Sequence, residues 1–125
     1  MSDEPIPEDV REFILGRINS IAQLEALLLL WRDPKAVWDV PAMARRLYIS
    51  EGETKELLSQ LAADGIARIE SDSYRLDTSD AGRHQVISTL AEVYSRHLIP
   101  VTNLIHAKPR RIREFADAFK LRKDG

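Results

Sequence analysis

The sequence predicts a mainly helical fold that carries one small β-hairpin. Three observations support this. Apolar residues recur three and four positions apart along most of the chain, helix-capping side chains stand just before those runs, and residues 66–76 switch to an extended pattern. With 125 residues, 44% hydrophobic and 30% charged, the chain suits one globular domain with a genuine core, not a disordered segment.

Residues 1–7 read as a frayed acidic tail. Val10, Phe13, Ile14 and Ile18 then fall at helical spacing and predict an amphipathic first helix. Ser20 and Gln23 form a capping-box pair that opens a second helix, with Leu24, Leu27, Leu28 and Trp31 on its buried side and Asp33-Pro34 at its stop. Val37-Trp38 supplies one short strand. Asp39 caps a third helix through Met43, Ala44 and Leu47, and Pro41 is tolerated in its first turn. Ser50 and Glu53 repeat the capping box, so each would satisfy an exposed amide of the other at the start of a fourth helix. Leu57, Leu58, Leu61 and Ala62 give that helix its apolar stripe, and Gly65 ends it in the left-handed conformation. Ile66 and Ile69 with Tyr74 and Leu76 flank a polar Ser71-Asp72-Ser73 turn. Residues 77–80 offer several caps for a long helix reaching towards Ala107. Its stripe comprises Ile87, Leu90, Tyr94, His97, Val101 and Leu104, widened by Val86, Val93, Leu98 and Ile105. Pro100, lacking an amide donor, is expected to kink this helix or divide it. A last helix after Pro109 places Ile112, Phe115, Ala116 and Phe119 on one side among basic residues.

Helix, tight turn, helix and hairpin in succession is the winged helix-turn-helix arrangement, whose second helix commonly enters the DNA major groove. Residues 1–19 then form an acidic tail and N-terminal helix, 20–77 the winged unit, and 78–125 C-terminal helices for dimerisation, within one structural domain. The runs SIAQLEALLLLW, WDVPAMARRLYIS and LLSQLAADGIARI, closed by Tyr74-Arg75-Leu76, resemble the winged-helix domains of bacterial transcriptional regulators of the MarR, ArsR and BlaI kinds. That resemblance covers roughly half of the chain and implies a homodimer held by flanking helices, with the helix beginning near Glu51 presented to duplex DNA. Candidate DNA contacts are Arg45, Arg46, Glu51, Lys55, Gln60, Arg68 and Arg75, and a secondary basic patch comprises Arg110, Arg111 and Arg113. Candidate dimerisation residues are Ile87, Leu90, Tyr94, Val101, Leu104, Phe115 and Phe119.

Charge argues in the other direction. Residues 1–80 hold 9 Lys/Arg against 16 Asp/Glu, whereas residues 81–125 hold 9 against 4, so the half expected to meet DNA is the acidic one. The helix from Glu51 to Gln60 offers Glu51, Glu53 and Glu56 beside one Lys55, where related recognition helices typically present Ser, Thr and Arg. The alternative expectation is therefore a winged-helix module that binds protein or assembles without touching DNA.

Other functions lack their signatures. The glycines are too scattered for a phosphate-cradling loop or a nucleophile elbow, and no HExxH occurs, so no enzyme and no cofactor is expected. With no cysteine, disulfides and thiolate metal sites are impossible. On one helix, His84 and His97 lie about 220° apart and His97 and His106 about 180°, so no metal site forms there. Trp31, Trp38, Phe115 and Phe119 suit a core better than an effector pocket. The longest apolar run, 26–31, is far short of a membrane span, and MSDEPIPEDV is acidic where a signal peptide is basic. The expectation is a soluble, cytoplasmic protein.

Overall fold

The computed structural model describes residues 6–107. These form α1 (Glu8–Arg17), α2 (Ile21–Arg32), β1 (Trp38–Asp39), α3 (Val40–Leu47), α4 (Glu51–Ala63), β2 (Ala67–Glu70), β3 (Ser73–Leu76), α5 (Ala81–Arg96) and α6 (Leu98–Ala107). The architecture is mainly helical with a small antiparallel sheet of strand order β1-β3-β2. The last helix expected after Pro109 lies outside the described residues, as do Arg110, Arg111, Arg113, Phe115 and Phe119.

Helix starts follow the capping residues. The Gln23 amide donates to Ser20 Oγ at 3.1 Å, that of Ala42 to Asp39 Oδ1 at 2.8 Å, that of Glu53 to Ser50 Oγ at 3.1 Å, and that of Arg83 to Asp80 Oδ1 at 3.0 Å. The expected reciprocal arms differ. Gln23 Oε1 accepts from the amide of Asn19, one residue before the cap, at 2.7 Å. At α4 the second bond at Ser50 comes instead from Thr54, whose buried hydroxyl donates to the Ser50 carbonyl at 2.7 Å. Because Ser50 supports an end and no core, Ser50→Ala is expected to cost about 1 kcal/mol, measured by chemical denaturation; a loss of several kcal/mol would contradict a purely terminal role.

The core centres on α2, which is buried nearly all round through Leu24, Ala26, Leu27, Leu28 and Leu30. On one side α4 brings Leu57, Leu58 and Leu61, and α3 brings Met43. On the other, α5 packs against both α1 and α2, joining Val10, Ile14 and Ile18 to Ile87, Leu90 and Val93. Gly65 sits at φ +76°, its carbonyl accepts from Arg83 Nη1 at 2.8 Å, and the chain passes into the hairpin. Ser71 and Asp72 both have positive φ, making a two-residue turn of the primed kind, so Ser73 belongs to β3 and not to the expected three-residue turn. β1 is likewise displaced by one residue: it comprises Trp38 and Asp39, while Val37 is exposed.

The long helix expected from residue 81 to 107 is divided. α5 stops at Arg96 because the Pro100 ring would meet the Arg96 carbonyl and supplies no amide to it. His97 turns the chain at φ −131°, and α6 restarts with Pro100 in its first turn, where a missing amide does no harm. This break corrects the dimerisation stripe. α6 folds so that Val101 and Ile105 enter the chain's own core, where Ile87 and Leu90 also lie; Tyr94 and Leu104 are half-buried against it. Ile87, Leu90 and Val101 therefore offer no free surface to a partner. The exposed apolar residues at this end are Leu98 and Ile99. Among the described residues, no single helix is long and apolar enough to cross a membrane.

Candidate interaction surface

Helical rotation separates the exposed residues of α4 into two groups. Taking Glu51 as zero, Lys55 lies at about 40°, whereas Glu53, Glu56 and Gln60 lie at about 200°, 140° and 180°. The first pair faces a groove between α3, α4 and the hairpin, and the second group faces the start of α2 beside Asn19, Ser20 and Gln23. These residues spread over one exposed arc of about 200°, whose two edges border different hollows.

The groove is the larger feature, about 610 Å³. Val40, Pro41, Ile69 and Tyr74 give it an apolar lining, and Asp39, Glu51 and Asp72 set three carboxylates around one ammonium, Lys55. Two of its walls are anchored: Tyr74 is buried and its hydroxyl lies 3.3 Å from Ser59 Oγ of α4, while Asp39 is held as the cap of α3. Ile69 is cross-strand to Tyr74 and so shares its face of the sheet, yet it remains 63% exposed. Through Pro41 and Glu51 the groove continues into a second hollow of about 500 Å³ lined by Ala44, Arg45, Tyr48 and Ile49. Tyr48 closes α3 in the left-handed conformation, φ 60°, and the residue is 92% exposed. An aromatic ring held in water by a strained backbone is a feature that sequence reasoning missed; the signal was a helix end with no Gly or Asn available to take that conformation.

The basic candidates do not converge. Arg45 borders the second hollow, but Arg46, one residue on and about 100° round the helix, lies with Glu25, Leu28, Leu29, Arg32 and Tyr94 between α2 and α5. In that smaller cavity Tyr94 Oη approaches Glu25 Oε2 at 3.5 Å, and burial, with the Glu25 charge, raises the Tyr94 pKa above its ordinary value. Arg68 and Arg75 are cross-strand partners on the sheet face opposite Ile69 and Tyr74. Arg75 is drawn to Glu70, Nε to Oε2 3.2 Å, and Arg68 stands near Asp77. The Asp77 carboxyl is held below its usual range first by the Ser79 hydroxyl and amide, with Arg68 and Arg83 contributing less. Among the described residues, Arg45, Arg46 and the Arg68–Arg75 pair thus lie on three separate surfaces.

Trp31 and Trp38 pack against the core. Among the described residues no cluster of three His, Asp or Glu side chains is placed to hold a metal ion. Comparisons with protein-family models, with curated proteins and with solved structures return no match.

Proposed function

We propose that the unit from α2 to β3 is a winged helix and that the chain is a non-catalytic interaction or assembly module, binding protein along the α3–α4–hairpin groove. The observation that carries this reading is the groove itself. Where a nucleic-acid reader needs cations, it offers an apolar lining with three carboxylates to one Lys, beside an exposed Tyr48. Exposed aromatic and aliphatic side chains inside a polar rim suit a protein partner, and carboxylates at that position repel phosphates.

A second reading, a homodimeric DNA-binding protein of the transcriptional-regulator kind, is favoured by the order of the elements and by Arg45, Arg46, Arg68 and Arg75 at the edges of the unit. One titration separates the two. Random and genomic duplexes across a salt series are expected to remain unbound even at about 50 mM salt, where electrostatic association is strongest. Binding that weakens in Arg46→Ala or Arg75→Ala, with the salt slope reduced by about one for each phosphate no longer neutralised, overturns the protein-binding reading. If α4 approaches DNA, Glu53→Gln and Glu56→Gln are expected to leave affinity unchanged or raise it.

A further inference from the structure

We propose that the α3–α4–hairpin groove receives the basic C-terminal segment, residues 108–125, of a second copy of this chain. This rests on the protein-binding reading of the groove and names its occupant. Two complementary patterns support it. Residues 1–107 carry 11 Lys/Arg against 17 Asp/Glu, while residues 108–125 carry 7 against 3, so body and segment attract each other. The match also holds in detail. Ile112, Phe115, Ala116 and Phe119 recur at helical spacing and are flanked by Arg110, Arg111, Arg113, Lys120, Arg122 and Lys123. The groove presents the converse, an apolar lining of Val40, Pro41 and Ile69 edged by Asp39, Glu51 and Asp72.

Another exposed apolar site, Leu98 and Ile99, adjoins Arg96 and His97, and Glu92 there is already bridged to Arg96 at 3.4 Å. It has no acidic surplus to draw a basic segment. A second copy is named as the source because body and segment of one chain complement segment and body of another, and docking on the same chain is the outcome that same-mass links report. Residues 108–111 separate α6 from Ile112, the first apolar residue of the segment. Exchange between two copies uses the same interface twice and closes a twofold dimer.

The test uses the full chain, mixed in equal amounts as ordinary and ¹⁵N-labelled protein, treated with a zero-length carboxylate-to-amine crosslinker and read by mass spectrometry. The expected result is mixed-mass links joining Glu51 or Asp72 to Lys108, Lys120 or Lys123. In parallel, Ile69→Lys and the pair Glu51→Gln with Asp72→Asn, all at exposed positions, are expected to weaken self-association at least tenfold in sedimentation while leaving the circular dichroism spectrum unchanged. Same-mass links alone overturn the proposal, because the segment then docks on its own chain. Mixed-mass links confined to carboxylates elsewhere overturn it, as does self-association that ignores these variants or a clean monomer at micromolar concentration. If those failures come with no duplex binding, the protein-binding reading stands and its occupant is another molecule; if they come with duplex binding sensitive to Arg46 and Arg75, both fall.

Discussion

Leu58→Ala and Leu61→Ala are each expected to lower stability by about 2–5 kcal/mol, through reduced burial and the cavity left behind. Both side chains are fully buried, on the face of α4 that packs against α2. For a domain of this size the loss corresponds to a fall of roughly 8–20 °C in melting temperature. Circular dichroism melts measure it directly, and an unchanged midpoint would mean that α4 buries a different face. The neighbouring exposed residues provide the control: Gln60→Ala, on the same helix, is expected to stay within about 0.5 kcal/mol.

Leu90→Ala is expected to cost a similar 2–5 kcal/mol, with one further property. Leu90 is fully buried on α5 where that helix meets α1 and α2. The loss therefore belongs to a single chain and should be the same at every protein concentration. A residue at a subunit seam behaves differently, because its contribution to the melting temperature grows with concentration by mass action. Melts of wild type and Leu90→Ala over a hundredfold range of concentration separate the cases. A difference between them that widens with concentration would return α5 to the role of a dimerisation helix.

Local chemistry was legible in the sequence, and long-range coverage was not. Ser20, Asp39, Ser50 and Asp80 act as caps because a cap is decided within four residues. Pro100 predicts a kink or a break, and in the structure the clash with the carbonyl four residues back fixes where α5 ends. The stripe over residues 87–105 was visible too, but periodicity reports only that a face is buried. Whether α1 and α2 of the same chain or a second copy covers it depends on tertiary placement, and here Ile87, Leu90 and Val101 turn inward.

The candidate surface shows the same division. Alternation along the hairpin puts Ile69 on the face of Tyr74, yet it cannot say that the helices stop short of Ile69 and leave it in water. Helical rotation alone places Glu51 and Lys55 towards one edge of the exposed arc of α4 and Glu53, Glu56 and Gln60 towards the other, so that spread was already legible in their spacing. The scattering of Arg45, Arg46, Arg68 and Arg75 over three surfaces needed the packed structure, because net charge carries no direction.

The division at His97 also sets an order of events during synthesis. Val101 and Ile105 close the core that Val10 and Ile14 begin, so sequence neighbours of the first helix are not its final partners. With on the order of 90 residues between them, the ribosome needs roughly 5–20 s to deliver the second set after the first. For the part of that interval before α5 is made, the side of α1 destined for it has no permanent cover, although α2, α3, α4 and the hairpin can already assemble. The nascent chain is thus most open to chaperones, and to misassociation with neighbouring nascent copies, just before its fifth helix emerges.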